Sequence, residues 1–173
     1  MHQNSDIKKR DIYRFIIIYL ALIISMELLL GLHFFQKYLD VNGYYTGAIA
    51  WISAKLLSLA GIASKSSGPV VSLPRGSLLI AFGCNGLEAI VIYVSGIIAY
   101  PSSWIYKFKG LIFGILVIEI LNMFRIVGLG FAMVRIPGLF NYLHYYVAQG
   151  LMIAISLGIF LIWIRGADAI HAD

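Results

Sequence analysis

The chain has 173 residues, of which 61% are hydrophobic and 12% are charged. Soluble domains are typically about 25% charged and less than half apolar, so this composition excludes a soluble domain and indicates a single membrane domain over residues 1–173. The net charge of +5 does not indicate a nucleic-acid partner, because Lys and Arg lie in the short connections between apolar runs. The single cysteine cannot form an internal disulfide.

The first apolar run, residues 12–35, follows the basic cluster Lys8, Lys9 and Arg10. The run is too long for a signal-peptide core and no A-x-A-like site follows it, so it predicts a permanent first span that begins in the cytoplasm. Three further runs are each long enough for a helix across ~30 Å of hydrocarbon. These runs are residues 78–100, 111–134 and about 144–164.

Basic residues predict the orientation of the later spans. Lys107 and Lys109 lie between the second and third spans and Arg165 follows the last, so the positive-inside rule assigns both points to the cytoplasm. The insertion at residues 36–77 is therefore predicted to be extracytoplasmic.

Within that insertion, residues 43–62 predict an amphipathic helix on the membrane surface, because apolar residues recur at helical spacing: Tyr45, Ile49, Ile52, Leu56 and Leu59. The alternative makes this helix a fifth span, which would put the N-terminal basic cluster outside. Residues 66–75, rich in Gly, Pro and β-branched residues, predict a loop or small hairpin. The predicted fold is thus an all-α bundle of four transmembrane helices with this surface helix and hairpin.

Three chemically capable side chains are predicted to meet near the extracytoplasmic face. Cys84 lies 16 residues before Tyr100, and Arg125 lies 16 residues after Lys109, so each is about 24 Å from the cytoplasmic boundary. His144 begins the last span about one turn further out. The common depth predicts that thiol, guanidinium and imidazole converge.

An arginine inside a span is costly and normally faces a polar pocket, so Arg125 predicts such a pocket here. A thiol becomes a good nucleophile when a cation or imidazole stabilises its thiolate, and His144 can accept and return a proton near neutral pH. Arg125 stays protonated and can stabilise a developing oxyanion. The structural alternatives are inert packing for Cys84, an interfacial aromatic belt around His144 and an ion pair for Arg125.

Four more polar residues are candidates for supporting the site or binding substrate: Asn85, Glu88, Asn122 and Gln149. Asn85 follows Cys84 directly and can bind a substrate peptide or cap the start of the helix. Glu88 is four residues after Cys84, and Asn122 is three before Arg125, so each shares a helix face with its neighbour. The chain has too few His and Cys for a convincing metal site, and no cofactor is predicted.

Three stretches and their order along the chain resemble the exosortase/archaeosortase family of membrane cysteine transpeptidases, most closely the exosortase H type. The stretches are 83-GCNGLEA-89, 122-NMFRIVGLG-130 and 141-NYLHYYVAQG-150. The resemblance covers about residues 66–165. It implies a catalytic core of three spans over residues 78–165, with Cys84 as the nucleophile and with Arg125 and His144 completing the site.

The resemblance also implies the reaction and the partners. The substrates would be secreted proteins whose C-terminal sorting signal consists of a short motif, a transmembrane helix and a basic tail. Cys84 would attack a peptide carbonyl, release the tail and form a thioester, which an amine, lipid, sugar or water would resolve. The resemblance implies a multi-pass protein of the cytoplasmic (inner) membrane with its site on the extracytoplasmic side.

Two other classes of function fit the composition. A small transporter or channel subunit would line its pathway with Glu27, Glu88, Glu119 and Arg125, and would tolerate loss of the thiol. A membrane acyltransferase would instead carry a fatty acyl group from a lipid or coenzyme A donor on Cys84. The nature of a trapped adduct distinguishes acyl transfer from sorting.

Overall fold

A computed structural model of the chain describes residues 2–32, 41–81 and 84–172. Its helices are α1 His2–Gly31, α2 Val41–Leu59, α3 Leu87–Ala99, α4 Trp104–Arg135, α5 Pro137–Tyr142 and α6 Gln149–Ala172. A π-helical segment, Leu143–Ala148, joins α5 to α6. Three short strands, β1 Lys65–Ser67, β2 Val70–Leu73 and β3 Gly76–Leu79, form an antiparallel sheet in the order β1-β2-β3. The hairpin predicted at residues 66–75 thus belongs to a three-stranded sheet.

Three of the described helices are long and apolar enough to cross a membrane: Arg10–Gly31 of α1, all of α4, and Gly150–Ala167 of α6. They confirm a mainly helical membrane protein, but the described residues do not confirm the count of four spans. The first span was predicted to reach residue 35, and residues 33–35 lie outside the described part of the chain.

The prediction of one continuous span over residues 78–100 is wrong in its first part. The chain there forms the end of β3 and a turn, and α3 has only 13 residues, about 20 Å of helix. A short apolar run has the same hydropathy in a buried strand as in a helix, so pairing with β2 decides its conformation. Non-helical backbone is tolerated at membrane depth where protein surrounds it, and Leu78 and Ile80 are buried.

Helix α2 confirms a helix in the insertion, and it is not among the three that are long and apolar enough to span. The face of α2 that packs against the rest of the protein is not the predicted apolar face, because Ile52, Leu56 and Leu59 are exposed. The buried residues are Thr46, Ile49, Ala50, Ser53, Ala54 and Leu57. The polar members of this face have partners on other elements, which hydropathy alone does not reveal.

Two apolar cores flank the turn that carries Cys84. One core joins α2, the sheet and α4, and the other joins α3, α4 and α6. In the second core the buried Tyr93 hydroxyl donates to the Gly110 carbonyl oxygen at 2.7 Å. A Cβ at Gly114 would lie 2.1 Å from the same ring, so this glycine allows α3 and α4 to pack closely. The close packing holds the start of α3 against α4, where Arg125 lies.

Candidate functional site

The Cys84–Gly86 turn connects the sheet to α3. The Cys84 amide donates to the Ala81 carbonyl oxygen at 2.8 Å, and the Leu87 amide donates to Asn85 Oδ1 at 3.1 Å. Gly86 has φ +87° and ψ −14°, a left-handed conformation that favours glycine. The sequence Cys-Asn-Gly therefore forms a tight turn that presents the cysteine just before the helix begins.

Cys84 and His144, 60 positions apart, form the centre of the site. Cys84 Sγ lies 3.8 Å from His144 Nε2, within hydrogen-bonding reach for sulfur, and the thiol is free and partly exposed. The imidazole stacks on the Phe140 ring, with centroids 5.5 Å apart and planes 12° from parallel. His144 lies in the π-helical segment, a form of helix that recurs at functional sites. The ring stacking restricts the imidazole plane while Nε2 faces the thiol.

Arg125 connects α4 to the same turn. Its Nη2 donates to the main-chain carbonyl oxygen of Cys84. Its Nε is buried and has no hydrogen-bond partner among the described residues. Among the described residues, no ion pair joins the guanidinium to Glu119 or Glu88, and Glu119 Oε2 has no hydrogen-bond partner there. The guanidinium therefore sits beside Cys84 rather than in an ion pair with either acid.

The environment of His144 favours its neutral form. Burial, followed by the positive charge of Arg125, lowers the pKa of His144 below its ordinary value of 6.5. At neutral pH the ring is therefore unprotonated, and the tautomer with its proton on Nδ1 leaves Nε2 free to accept one. The site pairs a thiol with a proton acceptor and a fixed cation.

The other predicted site residues have different surroundings. Asn85 is fully buried, its Oδ1 accepts from the Leu87 amide, and its Nδ2 donates to Thr46 Oγ1 at 2.9 Å, so it supports the turn. Asn122, predicted to support the site or bind substrate, is fully buried against Gly86. Glu88 is half-buried in the first turn of α3. The side chain of Gln149 lies outside the described part of the structure.

Sequence reasoning missed two residues of α2 that contact this region. Thr46 accepts the hydrogen bond from Asn85, and the Tyr45 hydroxyl donates to the Glu119 carboxylate. Tyr45 was assigned to the apolar face of the predicted helix. No local sequence signal links either residue to partners 39 and 74 positions away. Among the described residues, no group of three or more His, Cys, Asp or Glu is arranged to hold a metal ion.

The fold and this cluster define a helical membrane protein in which an imidazole faces the Cys84 thiol and a guanidinium binds the Cys84 carbonyl oxygen. A family model described as transmembrane exosortase (Exosortase_EpsH) matches residues 9–165. The chain therefore belongs to the transmembrane exosortase family, which confirms the resemblance. No curated protein and no solved structure matches the chain significantly. Membership is consistent, at the level of the family, with a sorting transpeptidase that acts on secreted proteins with C-terminal signals.

Proposed function

We propose that this protein is a membrane cysteine transpeptidase or protease that cleaves the C-terminal sorting signals of secreted proteins. The observation that carries the proposal is the 3.8 Å separation of Cys84 Sγ and His144 Nε2. A nucleophile and a base within such reach are the signature of covalent catalysis, and the distance is often loose before substrate binds. Family membership supports the substrate class.

The first half-reaction forms a thioester. His144 Nε2 takes the Cys84 thiol proton as Sγ attacks the carbonyl carbon of the scissile peptide. The tetrahedral intermediate carries its negative charge on the former carbonyl oxygen. The imidazolium returns the proton to the leaving nitrogen, the C–N bond breaks, and the transmembrane helix and basic tail of the substrate depart. The rest of the substrate remains attached to Sγ.

The second half-reaction regenerates the thiol. An acceptor amine, hydroxyl or water gives its proton to His144 Nε2 while its heteroatom attacks the thioester carbonyl. The C–S bond then breaks, and the proton passes from the imidazolium to the departing sulfur. The site is proposed to open on the extracytoplasmic side of the cytoplasmic membrane, where secreted substrates and surface acceptors are present.

Arg125 has two tasks in this scheme. Its hydrogen bond to the Cys84 carbonyl holds the turn that carries the nucleophile. Its positive charge also opposes formation of the imidazolium of His144. The proton therefore stays on His144 only briefly, which suits a base that must return it to the leaving nitrogen.

The test is to trap the intermediate. The purified chain is incubated with synthetic peptides that span the motif, helix and basic tail of candidate secreted proteins, and the intact mass is recorded. A peptide fragment on Cys84 supports sorting, whereas a fatty acyl group supports acyl transfer. Because the chain has a single Cys, an adduct on sulfur has only one location.

Variants test the roles of the individual residues in cells. Cys84→Ala is expected to leave the substrate uncleaved, and His144→Ala is expected to lower processing strongly. Tyr146→Ala is the matched control, because its side chain is 73% exposed in the same π-helical segment. Normal processing by Cys84→Ala would refute the proposal and favour a function, such as transport, that does not use the thiol.

A further inference from the structure

Two adjacent residues of α2 contact the two elements that build the site. Thr46 Oγ1 accepts a hydrogen bond from Nδ2 of Asn85, the residue next to Cys84, at 2.9 Å. Thr46 is 4% exposed and Asn85 is fully buried. The Tyr45 hydroxyl donates to the carboxylate of Glu119 on α4, the helix that carries Arg125. Helix α2 is therefore hydrogen-bonded both to the turn that carries Cys84 and to the helix that carries Arg125.

The amide of Asn85 is held at both ends. Its Oδ1 accepts from the Leu87 amide at the start of α3, while its Nδ2 is held by Thr46. Because a buried amide that loses a partner carries a desolvation cost, the two bonds favour a single orientation of the side chain. The orientation of Asn85 in turn sets the backbone that precedes it, which is the backbone of Cys84.

The far side of the turn rests on α4. A Cβ at Gly86 would lie 2.7 Å from both Glu119 Oε1 and Asn122 Nδ2, so the turn and these side chains are in direct contact. The Asn122 amide is near enough to Glu119 for an electrostatic interaction, although it lies outside hydrogen-bond geometry. Tyr45 bonds to the same Oε1 that faces Gly86. A shift of Tyr45 would therefore move the surface on which the turn rests.

We infer that α2, through Tyr45 and Thr46, is a positioning element of the proposed site. The two hydroxyls set the height and rotation of the Cys84–Gly86 turn on α4, and so they set the distance between Cys84 Sγ and His144 Nε2. The inference rests on the proposed function. It assigns a role in the chemistry to a segment outside the three sequence stretches that resemble the family. Neither residue touches the reacting atoms, so both act through Asn85 and Glu119.

The test measures the thiol directly, in the full chain in membrane vesicles, with iodoacetamide as the probe. Because the chain has one Cys, alkylation reports Cys84 alone. The rate constant of alkylation is recorded as a function of pH. If Nε2 of His144 accepts the thiol proton, the titration of His144 produces a step in this profile. His144→Ala defines the profile without that step. Thermal unfolding of each variant identifies the conditions under which it is folded.

Thr46→Val replaces the hydroxyl with a methyl group of similar size, and Tyr45→Phe removes only the hydroxyl. Each is expected to lower the alkylation rate at pH 7 about ten-fold, equivalent to ~1.4 kcal/mol in the barrier, and to shrink the step from His144. Thr46→Ser keeps the hydroxyl and should restore the rate and the step. Ser53→Ala is the matched control, since it removes a fully buried hydroxyl from the same face of α2. Among the described residues that hydroxyl donates only to Met123 Sδ, at 3.6 Å.

The outcomes separate the inference from the proposed function. If Thr46→Val and Tyr45→Phe behave like Ser53→Ala while Cys84→Ala fails to process substrate, α2 has no positioning role and the proposed function stands. If the variants lower only the unfolding temperature and leave the pH profile unchanged, their role is structural and the inference is overturned. If Cys84→Ala processes substrate normally, the proposed function itself fails.

Discussion

Replacing Gly86 with alanine should damage the protein more than a single methyl group usually does. The residue has φ +87°, and an L-residue in the left-handed region costs about 1–2 kcal/mol. The added Cβ would also lie 2.7 Å from Glu119 Oε1 and from Asn122 Nδ2. Overpacking of this kind typically costs about 1–3 kcal/mol. The sum, ~2–5 kcal/mol, is a large part of the usual stability of ~5–15 kcal/mol.

The assay is thermal unfolding in detergent, followed by the reactivity of the single thiol. For a chain of this length the expected loss corresponds to a decrease in Tm of about 4–20 °C. Gly128→Ala is the matched control, because a Cβ there meets no atom within 4 Å and alanine favours a helix. Gly128→Ala should therefore unfold at or above the wild-type temperature.

A second substitution separates the two causes. Asn122→Ala removes the amide of one of the two side chains that the new Cβ would meet, so in this background Gly86→Ala should cost less than in the wild type. The remaining cost reflects the left-handed backbone and the contact with Glu119. If Gly86→Ala unfolds at the wild-type temperature, the reasoning on both strain and contact is refuted.

Two further predictions concern the pH profile and the packing of α3 on α4. The pKa of His144 is lower in the folded protein than in the unfolded chain, so the unfolded chain binds more protons as the pH falls below ~6.5. The contribution of His144 to stability is therefore fully present above that pH and is lost as the pH falls through the folded-state pKa. The acid limb of the pH profile of kcat/KM should lie below ~6.5, because the pKa of His144 is lowered. Arg125→Gln should move this limb to higher pH, because it removes a positive charge that lowers the same pKa. An unmoved limb would mean that the guanidinium does not act on the imidazole. Gly114→Ala places a Cβ 2.1 Å from the Tyr93 ring and should lower the free energy of unfolding by about 1–3 kcal/mol. Gly158→Ala is the control and should not lower it, because a Cβ there meets no atom within 4 Å. Equal unfolding temperatures of the two variants would contradict the observed packing.

The sequence alone determined the features that depend on composition along the chain. The long apolar runs predict α1, α4 and α6, because a helix that crosses hydrocarbon needs about 20 apolar residues. Counting residues along the runs 78–100, 111–134 and 144–164 predicts that Cys84, Arg125 and His144 converge, and the structure places His144 Nε2 near Cys84 Sγ and Arg125 against the Cys84 carbonyl oxygen. The motifs around these residues identified the family, which the match over residues 9–165 confirms.

Only the tertiary structure decided the conformation of residues 78–81 and 84–86 and the partners of the buried polar groups. Their apolar part is compatible with a helix, and it becomes strand β3 because β2 pairs with it. Thr46 turns inward because its hydroxyl meets Asn85, and Asn122 contacts Gly86 because α3 begins beside it. Hydropathy is a property of each residue, whereas the partner of a buried polar group depends on segments far away in the chain. The sequence could therefore indicate the depth of the site but not the hydrogen bonds that hold it.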